Sequence, residues 1–152
     1  MNATTNTWIL VASRTGARIY EAEKGRRPTL LETIDHPSGR RQNQDIDSDR
    51  PGRTFERMGD GRHALGRGED PHEHLAVTFA HDLAERLHRG RVDNKMQRLF
   101  LVAEPRFLGY LRKALDVPTA AIVAEEIHKD WMPLPDAEID RYVRDILEHN
   151  RS

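Results

Sequence analysis

The chain has 152 residues, which corresponds to a single domain at roughly 150 residues per domain. With 24 basic and 25 acidic residues its net charge is −1, which excludes a globally basic nucleic-acid binder but leaves room for a local basic patch. The absence of cysteine excludes disulfides, thiolate metal sites, iron–sulfur clusters and thiol catalysis. Residues 1–7 lack the pattern of a signal peptide, and no apolar run approaches the roughly 20 residues of a membrane span. We therefore expect a soluble, cytoplasmic protein.

The N-terminal part of the chain predicts three β-strands. Residues 8–12 (WILVA) form a short apolar run of strand-forming residues, and residues 17–22 alternate between the two faces of a strand. Residues 29–35 (TLLETID) predict the third strand. Because only short polar turns separate the three, the pattern favours an antiparallel meander.

From residue 70 onwards the pattern predicts helices that alternate with strands. Asp70, Pro71 and Glu73 have the order of an N-cap, a proline at the first helical position and a capping-box acid. Apolar residues then repeat at intervals of three and four until about Gly90. They are Leu75, Phe79, Ala80, Leu83 and Leu87.

The remaining elements follow in short succession. Residues 97–103 predict a buried strand, residues 105–115 a second helix that Pro118 ends, and residues 120–127 a fifth strand. Pro135 opens a last helix whose apolar side carries Ile139, Val143, Ile146 and Leu147. The order β-β-β-loop-α-β-α-β-α predicts one α/β domain over residues 1–152, with helices packed on a mixed five-stranded sheet. This order is typical of ribonuclease H-like folds, but a fold alone does not assign chemistry.

A long loop, residues 37–69, is the most informative feature of the sequence. It lacks periodicity and holds six of the ten glycines together with seven arginines. Seven acids, counted through Asp70, cancel the formal charge of these arginines. A loop of this length inside one domain is usually functional or disordered. Guanidinium forks and open backbone amides suit phosphate, so we interpret the loop as a binding element.

Metal-dependent chemistry finds little support. A two-metal nuclease needs an acid on the first strand, which has none, although Asp82, Glu85 and Glu104 could supply later ones. The acids that start at Asp45 have EF-hand spacing, but Arg50 stands where the turn needs glycine.

Zinc is the other candidate ion. His74, His81 and His88 are seven residues apart, which separates neighbours by about 10 Å along a helix. His63, His72 and Glu73 could converge on zinc only if the loop folds back. We expect neither a metal nor a cofactor.

Several segments together resemble the bacterial host attachment protein family. They are residues 8–12, the His36-Pro37-x-Gly39-Arg40 stretch, and residues 48–53, 61–64, 70–74 and 105–115. The resemblance covers nearly the whole chain and implies a role in attaching bacteria to host cells. The family is similar in turn to the middle domain of archaeal and eukaryotic class-1 release factors, a related α/β domain that carries a Gly-Gly-Gln loop before its long helix.

That second resemblance bears on the loop. It puts Gly61, Arg62 and His63 where Gly-Gly-Gln would fall, and only the first of them matches. It therefore implies a release-factor-like binding module rather than peptide release. We expect a non-catalytic module that contacts RNA or the ribosome, with no evident DNA specificity, through the loop and the start of the Asp70 helix. The predicted binding residues are Arg40, Arg50, Arg53, Arg62, His63, Asp70, His72 and Arg106.

Two alternatives stay open. The first is a protein-interaction or dimerisation module for host-cell attachment, with the loop as an arm. The second is a hydrolase in which His63 acts as the catalytic base near Asp70, His72 and Glu73.

Overall fold

Three antiparallel strands form the first part of the sheet, as the sequence predicts. The computed structural model describes residues 5–23, 26–36 and 70–150. β1 (Asn6–Ser13) pairs with β2 (Gly16–Glu23), and β2 pairs with β3 (Thr29–Asp35). The predicted loop 37–69 lies outside the described residues.

Two parallel strands complete the sheet on the other side of β1. β4 (Arg98–Val102) runs parallel to β1, and β5 (Val123–Ile127) runs parallel to β4, which gives the order β3-β2-β1-β4-β5. The predicted fold class, an α/β domain with a mixed five-stranded sheet, is confirmed. The ribonuclease H-like assignment stays a prediction.

Four helices connect and cover these strands in the described part of the chain. They are α1 (Pro71–Val92), α2 (Pro105–Ala114), α3 (Val117–Ala121) and α4 (Asp136–His149). The short α3 corrects the prediction of a strand from residue 120, so the order is β-β-β-α-β-α-α-β-α. Pro118 lies in the first turn of α3, where the missing N–H breaks no bond, and two alanines that favour helix follow it.

The larger part of the core lies on one side of the sheet, which we call the α1 face. Phe79, Leu83 and Leu87 of α1 and Leu108 and Leu111 of α2 are buried there against the sheet. The predicted stripe of α1 is confirmed except at Leu75, which is only partly buried while the neighbouring Ala76 is buried. The central strand β1 is apolar from Trp8 to Ala12 because both of its faces are covered.

A close approach between α1 and β1 depends on a glycine. A Cβ atom built on Gly90 would lie 2.5 Å from Cη2 of Trp8, closer than real Cβ contacts. The absence of a side chain at position 90 therefore lets the indole pack directly against the backbone of α1.

The opposite side of the sheet, the α4 face, has a smaller core. Ile139, Val143 and Ile146 of α4 pack with Ile9, Val11, Tyr20, Phe100 and Val102 of the sheet. The predicted apolar side of the last helix is thus confirmed, with Leu147 partly buried beside it. Among the described residues, no helix is long and apolar enough to cross a membrane.

Candidate functional site

One edge of the sheet gathers the ends of the long loop and the first turns of two helices. Because β1, β4 and β5 are parallel and β3 runs in the same direction as β1, all four strands end at this edge. In open α/β sheets ligands bind outside the carboxyl ends of the strands. α1, which follows the loop, and α2, which follows β4, both begin here.

His36 fixes the point at which the chain enters the loop. Its imidazole Nδ1 lies 2.7 Å from the carbonyl oxygen of Arg14, and its backbone N–H donates to the carbonyl of Thr15 at 3.2 Å. The ring stacks on Phe79 of α1 with 4.3 Å between centroids and an angle of 3° between planes. The loop therefore departs from a residue that is held against α1.

Asp70 fixes the point at which the chain returns. Its carboxylate accepts a hydrogen bond from the backbone N–H of His72 at 2.9 Å, and Pro71 follows it in the first turn of α1. This confirms the predicted N-cap. Phe79 lies nine residues further along the same helix, which is about 14 Å at 1.5 Å per residue. Both ends of the loop are thus attached to the N-terminal half of α1.

Glu73 joins the first turns of the two helices. Its carboxylate accepts a hydrogen bond from the Tyr110 hydroxyl of α2 at 2.9 Å. The predicted capping box is therefore realised only in its Asp70 half, since no bond from Glu73 to the Asp70 amide occurs among the described residues. Burial, followed by this bond to a carboxylate, raises the pKa of Tyr110, so the phenol stays protonated as a donor at neutral pH.

The start of α2 places Arg106 at the same edge. Glu104 caps this helix twice, because its carboxylate accepts hydrogen bonds from the backbone N–H groups of Arg106 at 2.9 Å and of Phe107 at 3.1 Å. The Arg106 side chain is exposed. Beyond β5, burial and then the charge of Glu104 raise the pKa of Asp130.

Three of the predicted binding residues, Asp70, His72 and Arg106, are therefore at one edge of the fold. The other predicted site residues lie outside the described residues. They are Arg40, Arg50, Arg53, Arg62 and the proposed catalytic His63. The sequence interpretation missed His36 and Tyr110 as contact residues. The position of His36, directly before the loop, was the one available signal.

Those residues considered for metal binding that the structure describes have other contacts or are exposed. Within residues 5–23, 26–36 and 70–150, no group of three or more histidines and acids is arranged to hold a metal ion. His88 lies 3.4 Å from Asp116, and His81 is exposed on α1. Of the acids weighed for a nuclease, Glu104 serves as a helix cap while Asp82 and Glu85 are exposed.

Two archaeal proteins are among the solved structures that are similar to this chain. An archaeal protein without a stated activity is 11% identical, with a TM-score of 0.45, over 95% of this chain and 38% of its own. An archaeal translation termination factor is 13% identical, with a TM-score of 0.48, over 95% of this chain and 39% of its own. The chain thus spans well under half the length of either.

Comparison of the sequence with families gives the assignment. None of the curated proteins matches the chain. A family model described as "Protein required for attachment to host cells" matches residues 8–143. Because this match runs through nearly the whole chain, the protein belongs to the family of proteins required for attachment to host cells.

Proposed function

We propose that the protein is a non-catalytic binding module that contacts RNA, free or on the ribosome, through the loop 37–69 and the sheet edge to which the loop is attached. One observation carries the proposal. The segment that holds seven arginines and six glycines starts at His36 and returns at Asp70, and both residues are fixed to α1. The fold thereby anchors both ends of this segment at one edge of the sheet.

The chemistry at the edge supports a phosphate-rich partner. Arg106 is exposed at the start of α2, and its guanidinium can extend the set of arginines in the loop. Guanidinium groups bind phosphate with two parallel hydrogen bonds, and glycine-rich backbone leaves its amides open to the same oxygens. Residues 37–69 hold seven arginines and six acids, so phosphate binding by this segment would depend on its guanidinium groups and open amides rather than on its net charge.

The hydrolase alternative has less support. Two of the groups that it would place around His63 are engaged in the fold, Asp70 as a helix cap and Glu73 with the Tyr110 hydroxyl. A general base needs a partner that is free to orient it. We therefore favour binding over catalysis.

A salt series in a co-sedimentation assay with ribosomes tests the proposal. The wild-type chain is compared with the triple variant Arg50→Ala/Arg53→Ala/Arg62→Ala. The matched control is Arg26→Ala/Arg89→Ala/Arg141→Ala, which removes the same charge from exposed positions away from this edge. Binding should weaken steeply with salt, and the slope of log K against log salt should fall by about 2 in the loop variant, at roughly 0.7 per lost phosphate contact. A parallel series with protein-free RNA shows whether the chain contacts RNA or a ribosomal protein.

Two results contradict the proposal. The first is wild-type binding that does not depend on salt, or no binding at all. The second is an equal loss in the loop variant and in the control, since that would reflect net charge alone.

A protein-interaction module is the second candidate, because a specific surface favours it. β3 is an edge strand, and its side chains Leu30 and Leu31 are each 46% exposed. Unpaired edges with apolar side chains can pair with another chain. Sedimentation velocity over a concentration series checks this candidate: Leu31→Lys should abolish any dimer of the wild-type chain, and a wild-type chain that stays monomeric argues against it.

A further inference from the structure

A groove on the α4 face is separate from the edge described above. A helix is about 10–12 Å in diameter and strands lie about 4.8 Å apart, so α4 covers little more than two strands of the sheet. It packs on β1, on β4 and on Tyr20 of β2, and among the described residues it leaves β3 and part of β2 open beside it. The space between α4 and these strands is a groove of about 250 Å³.

Four side chains that line the groove are connected by an ion pair and hydrogen bonds. Arg18 of β2 forms an ion pair with Asp136 and donates a hydrogen bond to the hydroxyl of Tyr20 at 3.4 Å. That hydroxyl donates in turn to the carboxylate of Asp140 at 3.0 Å. Both acids of the groove are therefore already engaged by donors that the fold itself supplies.

Arg18 holds its charge in a shielded position. Its side chain is 15% exposed, and its Nε atom is buried without a hydrogen-bond partner among the described residues. Hydrogen bonding by Tyr20 raises the pKa of Arg18 against the effect of burial, so the guanidinium is charged at every relevant pH. One of the three nitrogen atoms of this guanidinium group therefore has no hydrogen-bond acceptor among the described residues.

Two further guanidinium groups line the groove from opposite sides. Arg27 precedes β3 and is exposed, while Arg144 lies on α4 and is half-buried. Neither forms an ion pair with any residue of the described part of the chain. The three arginines and two aspartates leave one net positive charge in the groove. Leu30 and Pro28 add an apolar wall beside them.

We propose that this groove binds a small molecule through an oxyanion, a carboxylate or a phosphate, which Arg27 and Arg144 hold between them while Leu30 and Pro28 contact its apolar part. Planar guanidinium forks match the geometry of either oxyanion. The volume lies just below the range of about 300–1,000 Å³ usual for drug-sized ligands, so the ligand is of the size of a small metabolite. The site is independent of the proposed contact with RNA.

The test is a titration of the full chain with matched probes, followed by amide chemical shifts. Phenyl phosphate and benzoate carry the two head groups on the same apolar body, and benzyl alcohol is the uncharged control. Binding of one or both anions should change the chemical shifts of backbone amides in β2, β3 and α4. The anion that binds with the higher affinity identifies the preferred head group. Arg27→Gln and Arg144→Gln should each weaken binding about tenfold, which corresponds to the loss of one charge-assisted contact.

Arg141→Gln is the matched control variant. It removes the same charge from the same helix at an exposed position outside the groove, where the guanidinium lies over the Tyr142 ring at 5.6 Å from its centroid. This variant should bind like the wild-type chain, and the amide spectra of all three variants report whether the fold is retained. The proposal is overturned if neither anion binds at millimolar concentration, if benzyl alcohol gives the same shifts, or if both groove variants bind like the wild-type chain.

Discussion

The two faces of the sheet differ in how completely helices cover them. Among the described residues, α1 and α2 cover the α1 face, and the buried cluster extends from Trp8 on β1 to Leu115 after α2. On the α4 face one helix of 14 residues, α4, covers mainly β1 and β4, and the cluster there has eight buried residues, counted over the described ranges of the chain. Charged and hydroxyl groups occupy the rest of that face, beside β2 and β3.

The difference shows where this fold has its stability and where it keeps open surface. Apolar burial contributes roughly 25 cal/mol per Å², so the larger and fully covered cluster contributes more to the free energy of folding. In the part of the chain that the structure describes, α4 leaves space beside β2 and β3 for the hydrogen-bonded side chains from Arg18 to Asp140. An apolar core would hold these polar groups only if each had a partner. One sheet thus separates a structural face from a face that is available for a ligand.

Deleting one buried side chain from each face gives the largest expected effect. Leu83 of α1 and Ile139 of α4 are both 0% exposed, and substitution by alanine removes three carbon atoms from each. We expect each variant to lose about 2–5 kcal/mol of the free energy of unfolding. The loss should be larger for Leu83→Ala, because partly buried residues such as Met132 and Leu134 can shift into the space at Ile139.

Urea unfolding at neutral pH measures both variants of this pair. Leu83→Ala should show the lower midpoint, with the slope m unchanged. An equal or larger loss in Ile139→Ala would contradict the assignment of most of the stability to the α1 face.

Two glycines test how closely that face is packed. Alanine at Gly90 would bring its Cβ to 2.5 Å from the Trp8 ring, so the indole has to move, and we expect a loss of about 1–3 kcal/mol. Gly109 of α2 is the matched control, because a Cβ atom there would meet nothing within 4 Å. Gly109→Ala should instead stabilise the protein by about 0.5–1 kcal/mol through helix propensity.

Thermal unfolding of both glycine variants distinguishes packing from propensity. The midpoint should fall for Gly90→Ala and rise for Gly109→Ala. A rise in both would mean that Trp8 gives way without loss, and the close approach of α1 to β1 would then have no energetic role.

Most of the fold could be predicted because it follows local patterns. The alternation in β2, the cap at Asp70 and the stripe through Phe79 and Leu83 are visible in short windows of sequence. α3 was missed because its five residues span little more than one turn, too short for a helical period to show. Pro118 was interpreted as the end of a helix, whereas it starts the next one.

The groove could not be predicted because its residues are far apart in the sequence. Arg18 and Asp136 are 118 positions apart, and only the packing of α4 against β2 brings them together. Nothing in the alternation of β2 indicates that Arg18 faces a helix rather than solvent. The sheet edge was easier to predict from the sequence, because Asp70 and Arg106 each lie at a helix start that the sequence marks with a proline.

Removal of the ion pair between Arg112 and Glu126 should change the free energy of unfolding least of all. It tests whether charges at the rim of the α1 face add to the stability of that face. Arg112 donates to both oxygens of Glu126, at 3.1 and 2.6 Å, and these bonds lower the pKa of that carboxyl. A lowered pKa in the folded state stabilises the protein above the unfolded pKa of about 4.3, and the contribution disappears as the pH falls through the lowered value. Arg112→Gln should therefore lose about 0.5 kcal/mol at pH 7, since Arg112 is 53% exposed and solvent screens the pair, and nothing at strongly acidic pH.

Urea unfolding of wild type and variant across this pH range measures that difference. His128 lies 3.9 Å from the same carboxylate and is present in both proteins. Arg89→Gln is the control, because its pair with Glu85 is 3.5 Å long between side chains that are 70% and 60% exposed, and it should show no measurable loss. A loss in Arg112→Gln that persists in acid would mean that the arginine stabilises α2 by packing rather than by charge. The stability of the α1 face would then depend on apolar contacts up to its rim.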